Sequence, residues 1–175
     1  MPRQGRRGGG VGLFVSSALK FSLVTLPHHT SFEAICGKIS TGTASLKVLN
    51  LYRALGPTAT FFNECEDVVS HLATLSQDLL IMGDFNLHVD EASKQTDDFQ
   101  EILASFDLLQ HVIFPTHIHG HTLDLIISAN HSVCKPLSVL PSDRISDHLT
   151  VLAELNIPIT SHPEKKTIKY RNIKE

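Results

Sequence analysis

The segment LLIMGDFN, residues 79–86, joins a short apolar run to a polar turn. Its four leading apolar residues, Leu79 to Met82, are typical of a strand buried inside a sheet. Gly83 ends the run, and Asp84 and Asn86 follow at once. Because an isolated buried charge is costly, a carboxylate in this position must be paired, bound to a cation or placed at a rim. The segment therefore predicts a central strand with polar side chains at its carboxyl end.

Two later segments place polar residues in a similar context. Asp124 interrupts the apolar segment Thr122 to Ser128, and Asp147 and His148 immediately precede another apolar run, Leu149 to Leu155. A single acid at a strand end is commonly a turn residue. Three such acids and a histidine favour a common site more strongly, but the residues alone leave both interpretations open.

Apolar periodicity predicts the remaining elements. The further strands predicted are 11–16, 32–39, 46–52 and 137–140, with a hairpin turn at 41–43 and helices at about 57–76 and around 99–106. A hairpin followed by helices that alternate with buried strands predicts an α/β (α+β) fold, a layered sandwich of mixed or antiparallel sheets flanked by helices. We expect a flexible Arg- and Gly-rich start at residues 1–10, one domain at 11–156, and a basic linker or tail at 157–175.

Composition indicates an ordinary globular chain. Its 175 residues are 42% hydrophobic, without a run of the ~20 apolar residues that a membrane helix needs. The first residues also lack the apolar centre of a secretory signal, so we expect an intracellular protein of the nucleus or cytoplasm with no membrane partner. Three cysteines without a CxxC pair predict buried free thiols.

The charge distribution limits the kind of nucleic-acid binding that the chain can perform. The net charge is −3, and residues 11–163 hold seven basic against sixteen acidic side chains. A duplex-binding protein normally relies on a basic face. The central region is therefore a poor DNA binder on charge alone, although a metal-dependent site can need an excess of carboxylates.

The motifs GDFN at 83–86, LD at 123–124 and SDH at 146–148 resemble, in this order, three signatures of the endonuclease/exonuclease/phosphatase superfamily. The longer motifs resemble the endonucleases of LINE-type retrotransposons; they are GGGVG at 8–12, LYR at 51–53, GDFNLHVD at 83–90, PTH at 115–117 and GHTLDL at 120–125. The resemblance spans about residues 8–155. It implies a metal-dependent phosphodiesterase, and the basic tail resembles the linker to a reverse transcriptase.

Roles follow from the resemblance position by position. Asp147 and His148 are expected to form a pair in which the carboxylate orients the imidazole and His148 contacts the scissile phosphate. Asp84 would position or deprotonate the attacking water. Asn86 would hold that water or a phosphate oxygen. Asp124 would help to orient the same cluster.

The resemblance also implies a phosphate contact from Tyr52 and a divalent cation, Mg²⁺ or Mn²⁺, held by Asp84 and Asp147. The family's principal metal-binding glutamate and an early asparagine have no counterpart in the sequence, so we expect an N-terminally truncated domain. Glu33 lies on a later strand than the family glutamate, and the resemblance assigns it no ligand role.

Structural interpretations stand beside several of these roles. Tyr52 is equally consistent with a packed strand residue, and Asn86 with an Asx turn. His88 and Asp90 are expected to be loop residues. The alternating histidines at 117, 119 and 121 would share one face of an extended segment and could bind zinc or copper, but the resemblance names no such site.

The functional hypothesis is a retrotransposon-type endonuclease that nicks DNA and is fused to or associated with a reverse transcriptase. Its activity would be impaired by the missing glutamate. Two alternatives stay open: a non-catalytic remnant or binding module of the same fold, and a phosphatase of small molecules or lipids. The sequence indicates neither the oligomeric state nor the target-site preference.

Overall fold

The computed structural model describes residues 10–40, 44–75, 78–129, 134–141 and 146–155. The predicted turn at 41–43 and the predicted tail at 157–175 lie outside these ranges, as does the predicted flexible start except for Gly10. The elements are β1 (Lys20–Val24), β2 (Glu33–Ser40), β3 (Ser45–Tyr52), α1 (Thr58–Leu75), β4 (Leu79–Asp84), α2 (Lys94–Ser105), β5 (Leu108–Gln110), β6 (Asp124–Ala129), β7 (Cys134–Leu140) and β8 (Thr150–Leu155).

Six strands form one mixed sheet in the order β1-β2-β3-β4-β6-β5. β3 and β4 pair in parallel, and every other pair in this sheet is antiparallel. A parallel pair needs a long crossover, which α1 supplies between β3 and β4. The LLIM run thus lies in the interior of the sheet, between β3 and β6, as its apolar character predicts.

The helices cover one face of this sheet. α1 turns an apolar stripe inward, and Phe61, Val68 and Leu72 are fully buried on it. They belong to one core cluster with strand residues such as Leu49 and Ile81. Helical spacing of the apolar residues therefore sets the orientation of α1 on the sheet.

A separate two-stranded sheet covers the other face. β7 and β8 pair antiparallel. A second buried cluster contains Val48, Leu80 and Ile126, and Val151 and Ala153 of β8 pack against it. The described chain is therefore a layered α/β sandwich, as predicted, with helices, a six-stranded sheet and a β-hairpin in successive layers.

The structure differs from the predicted elements near the amino end and after α2. Residues 11–16 form no strand, although Leu13 packs against the second cluster and the Asn50 amide donates to the Gly12 carbonyl at 3.1 Å. Apolar residues there indicate packing rather than pairing. β1 and β5 were not predicted, because β1 is a largely exposed edge strand and β5 has only three residues.

Two of the three cysteines, Cys36 and Cys65, are free and buried. Burial raises the pKa of Cys36 to about 11 and that of Cys65 to about 12, so both stay protonated at neutral pH. The expectation of buried free thiols is confirmed for these two. Within the described ranges, α1 and α2 are both too short or too polar to cross a membrane.

Candidate active site

The register of the large sheet brings the ends of three strands together. Tyr52 of β3 pairs with Asp84 of β4, and Asp84 pairs with Asp124 of β6. Side chains at paired positions project from the same face of a sheet. Residues that are distant in sequence therefore form one row at this edge, and Glu33 of β2 extends the row as the partner of Tyr52.

The GDFN turn has a backbone that fixes the direction of the Asp84 carboxylate. Gly83 has a φ of +135°, and a Cβ added there would lie 1.9 Å from the Leu51 carbonyl oxygen. Asn86 has a φ of 47°, the left-handed region that asparagine tolerates. Its backbone N–H donates to Asp84 Oδ1 at 3.0 Å, which closes an Asx turn. The turn explains why a glycine and an asparagine flank the aspartate.

The side-chain amide of Asn86 is also part of this turn. Its Nδ2 donates to the Arg53 carbonyl at 2.6 Å and to Asp84 Oδ2 at 3.3 Å. The turn interpretation of Asn86 is thus present in the structure. These contacts use the amide N–H donors and do not involve the Oδ1 acceptor.

Arg53 is a buried cation that supports the same turn, and the sequence analysis gave it no role. Its guanidinium donates to the carbonyls of Phe85 at 3.3 Å and Asn86 at 2.9 Å, and it also reaches Gly56 and Thr58. It lies 5.0 Å from the centroid of the Phe61 ring. The guanidinium supplies hydrogen-bond donors to the carbonyl oxygens of Phe85 and Asn86. Arg53 therefore holds the GDFN turn against the end of β3.

His148 contacts both aspartates of the row. Its Nδ1–H donates to Asp124 Oδ2 at 2.8 Å, and its Nε2 lies 4.0 Å from Asp84 Oδ2. The side chains are partly shielded, at 18% exposure for Asp84, 23% for Asp124 and 30% for His148. The three thus share one pocket, with Asp124 as the carboxylate that orients the imidazole.

The expected pair of Asp147 with His148 is not the pairing in the structure. Asp147 Oδ2 lies 3.3 Å from His117 Nε2, and the Asp147 side chain is 62% exposed. The reason is geometric: His148 forms a β-bridge with His117, and neighbouring residues of an extended segment project to opposite sides. Asp147 instead belongs to a second possible cation-binding group. In this group, ligand atoms of His117, Asp147 and His148 lie within 4.8 Å of one another.

Thr116 links these segments from inside the protein. Its fully buried hydroxyl oxygen accepts the N–H groups of Leu123 and Asp124, both at 3.0 Å. Its carbonyl accepts the Leu149 N–H at 2.7 Å. Thr116 thus ties the start of β6 to the segment that carries His148. The PTH motif contains it, although the sequence pattern did not single it out.

Charges in the pocket act on each other. Burial raises the pKa of Asp84 above its ordinary value, the Asn86 N–H opposes this, and the neighbouring Asp124 charge raises it further. Burial alone would lower the pKa of His148, but the hydrogen bond and charge of Asp124, with the charges of Asp84 and Asp147, outweigh it and raise that pKa. A more basic carboxylate therefore faces an imidazole that favours its protonated form.

The exposed Asp147 behaves differently. The hydrogen bond with His117 lowers the pKa of Asp147, so its carboxylate stays ionised at neutral pH. Ligand atoms of Asp84, Asp124 and His148 lie within 4.8 Å of one another, a donor set that suits a divalent cation. Asp147 belongs to the other possible cation-binding group, with His117 and His148. The structure therefore does not bring Asp84 and Asp147 together as the expected pair of metal ligands.

The remaining residues of interest lie around this pocket. Tyr52 is half-buried at the end of β3, next to Asp84 in the sheet. The ring of His119 lies 5.0 Å from that of His117, whereas the Nδ1 of His121 turns to Asp90 at 3.1 Å. The alternating histidines therefore do not act as one ligand set among the described residues.

Comparison with known proteins supplies the family. The family model described as "Endonuclease/Exonuclease/phosphatase family" matches residues 2–148. No curated protein matches the sequence. Among solved structures, the endonuclease domain of TRAS1, a telomere-specific non-LTR retrotransposon, has a TM-score of 0.65 at 14% identity and covers 81% of this chain and 71% of its own.

Two other solved structures have a similar fold. The catalytic domain of human Nocturnin has a TM-score of 0.52 at 21% identity, covering 76% of this chain and 58% of its own. A truncated TDP2 from Caenorhabditis elegans has a TM-score of 0.53 at 16% identity, covering 79% and 68%. At these identities the likeness concerns the fold. With the family match over most of its length, the chain belongs to the endonuclease/exonuclease/phosphatase family.

Proposed function

We propose that this chain carries a divalent-metal-dependent phosphodiesterase site of the type that nicks DNA in retrotransposon endonucleases. The observation that carries the proposal is the contact of His148 with Asp124 at 2.8 Å and its approach to Asp84 at 4.0 Å. A single imidazole between two carboxylates, at the rim of a sheet, can hold and move protons beside a bound phosphate.

The metal is Mg²⁺ or Mn²⁺ in this proposal. Asp84 and Asp124 offer carboxylate oxygens that fit a hard cation, and His148 lies beside them as a hydrogen-bond donor rather than as a ligand. When bound, the cation supplies Lewis-acid stabilisation of charge on the phosphoryl oxygens. Asp147 belongs to the neighbouring group with His117, and its exposed carboxylate can serve a cation there.

The protein residues would then act on the water and the phosphodiester. Asp84, whose pKa is raised, accepts the proton of the attacking water as the water oxygen bonds to phosphorus. His148, in its imidazolium form and oriented by Asp124, donates hydrogen bonds to a phosphate oxygen. The bond from phosphorus to the leaving oxygen breaks, and that oxygen takes a proton from solvent.

DNA is the substrate that the motifs favour. The GDFNLHVD and GHTLDL segments resemble retrotransposon endonucleases, and the TRAS1 domain is among the similar structures. A similar structure from Neisseria, with a TM-score of 0.53 at 17% identity, is a 3′ phosphatase bound to a product DNA hairpin. Because residues 11–163 are acidic, we propose that an associated reverse transcriptase contributes much of the DNA affinity.

We also propose that the family's metal-binding glutamate, for which the resemblance finds no counterpart in this sequence, would strengthen the metal site if it were supplied on an added strand. The three described side chains supply two carboxylates to one group. Mg²⁺ loses its water reluctantly and needs well-placed oxygens, so its affinity for this chain should be weak. A longer chain with the family's glutamate-bearing strand should nick faster, and equal rates for the two chains would remove this part of the proposal.

Cleavage of supercoiled plasmid tests the proposed activity. The chain should convert supercoiled DNA to open circles in Mg²⁺ or Mn²⁺ but not in EDTA, and Asp84→Asn should slow this severely. His119→Gln is the matched control, because His119 is exposed and belongs to neither cation group at the pocket. Hydrolysis of inositol or sphingolipid phosphates without nicking would instead support the phosphatase alternative. A folded chain that performs neither reaction, even with the added strand, would support the non-catalytic alternative.

A further inference from the structure

A second cluster of histidines and carboxylates lies outside the pocket. It consists of His88, Asp90, Glu91 and His121, and we name it the His88–His121 cluster. Three of its members lie in the loop between β4 and α2, and His121 lies in the loop before β6. The expectation that His88 and Asp90 are loop residues agrees with this placement, but their side chains converge on His121.

The distances within the cluster are short. Glu91 Oε1 lies 3.4 Å from His88 Nδ1 and 3.6 Å from His121 Nδ1. Asp90 Oδ2 lies 3.1 Å from His121 Nδ1. The two imidazole rings stack with centroids 4.1 Å apart and an angle of 26° between their planes. Two histidine nitrogens thus lie around one carboxylate oxygen.

These spacings match those of a metal shell. In a tetrahedral zinc site, ligand atoms about 2.0–2.1 Å from the metal lie about 3.3 Å from one another. The three contacts in the cluster span 3.1–3.6 Å, and one ligand atom from each of His88, Glu91 and His121 lies within 4.8 Å of the others. To bind one cation, the two stacked imidazole rings would have to turn until a nitrogen lone pair of each points at the ion.

We propose that the His88–His121 cluster binds Zn²⁺ through His88, Glu91 and His121, with Asp90 as a fourth ligand. Two imidazoles with carboxylates suit zinc-class cations better than Mg²⁺, which prefers oxygen ligands. The side chains of His88 and Glu91 are about half exposed, so an ion can enter from solvent. The alternative is a set of hydrogen bonds and ion pairs with no affinity for metal.

Asp90 also anchors the cluster to the backbone. Its Oδ1 accepts the Thr122 N–H at 2.9 Å while Oδ2 faces His121. The backbone contact thus gives the exposed cluster one fixed side.

The bound ion would join two loops that serve the pocket. One loop follows Asp84 and Asn86. The other bears His121, whose carbonyl accepts the N–H groups of Thr116 at 2.9 Å and His117 at 3.0 Å. Zinc would therefore restrict the motion of the segment that positions His117. The zinc site does not depend on the proposed nuclease activity, because it uses other side chains.

Titration with Zn²⁺, followed by calorimetry, and with Co²⁺, followed by its visible absorption, tests the site on the whole chain. We expect one more equivalent of bound zinc in the parent than in His121→Gln or Glu91→Gln. In these two variants the Kd of zinc at this site should rise at least ~10-fold, a loss typical when metal-site partners are removed. His119→Gln should bind as the parent does, although it removes a nearby histidine.

Comparison between variants separates this site from any zinc bound at the Asp84 pocket. The exposed Glu91→Gln keeps the test valid if His121→Gln alters folding, which circular dichroism would show. Affinity should also fall as the pH is lowered, because protons compete with Zn²⁺ for the imidazole nitrogens. Zinc binding that is unchanged in Glu91→Gln, or reduced to the same extent in His119→Gln, would overturn the proposal.

Discussion

Replacing Asp124 by asparagine removes the negative partner of His148 while it retains the size of the side chain. The contact that changes is the 2.8 Å hydrogen bond from Nδ1 of His148. A hydrogen bond to a charged group contributes about 1.5–3 kcal/mol, and one pKa unit corresponds to about 1.4 kcal/mol. The pKa of His148 should therefore fall in Asp124→Asn, because the protonated ring loses this charged hydrogen-bond partner.

Proton NMR of the His148 ring across a pH titration measures this shift directly. Asp147→Asn is the matched control, since it removes a carboxylate of the same size that contacts His117 instead. We expect a smaller shift of the His148 pKa in Asp147→Asn, and a smaller loss of nicking. An equal or larger shift in Asp147→Asn would refute the assignment of Asp124 as the orienting residue.

The same pair has a consequence for stability as a function of pH. The folded-state pKa of His148 is raised above its unfolded value, so protonated His148 stabilises the fold. This contribution is fully present below the unfolded pKa, near 6.5, and is lost as the pH rises through the folded pKa. Urea denaturation of the parent should show this loss, and Asp124→Asn should show less of it.

Three further predictions concern the scaffold of the pocket. Arg53→Met should lower the free energy of unfolding by about 1–3 kcal/mol and reduce nicking, because the carbonyls of Phe85 and Asn86 lose a buried donor. Urea denaturation measures the change in stability, and an unchanged free energy of unfolding would contradict the prediction. Gly83→Ala should prevent stable folding, since its Cβ would lie 1.9 Å from the Leu51 carbonyl, whereas Gly12→Ala meets nothing within 4 Å and should be tolerated; equal melting temperatures would disprove this. Thr116→Val should lower the free energy of unfolding by about 1–3 kcal/mol, since two backbone N–H groups lose their acceptor. Thr116→Ser keeps the hydroxyl and should retain most of that stability. A serine variant no more stable than the valine variant would count against the hydrogen-bonding role of Thr116.

The fold could be predicted from the sequence wherever burial was strong. The runs at Leu79 to Met82 and at 46–52 form interior strands, and the apolar stripe from Phe61 onward forms the buried side of α1. The edge strand β1 and the short β5 carry weak apolar patterns, because an edge strand is partly held by backbone pairing to one neighbour. Leu13 shows the opposite case, an apolar residue that packs without forming a strand.

The sequence predicted that Asp84, Asp124 and His148 lie close together, but it assigned to Asp147 the contact with His148 that Asp124 makes in the structure. Motif order indicated that Asp84, Asp124 and His148 meet, and sheet register brings them together. Which carboxylate contacts the imidazole depends on the bridge between His117 and His148, a long-range contact that sequence spacing does not encode. Arg53 was missed for a similar reason, since its acceptors are mainly carbonyls.

The central claim is that Asp84 and His148 act in one reaction. A double-mutant cycle on plasmid nicking tests it most directly, with the rates of Asp84→Asn, His148→Ala and the double variant measured beside the parent in saturating Mg²⁺. Residues that serve the same step lose activity in a strongly non-additive way. If both residues serve one step, the double variant should nick about as slowly as the slower single variant. Rate losses that multiply would show two independent contributions and would contradict the shared site.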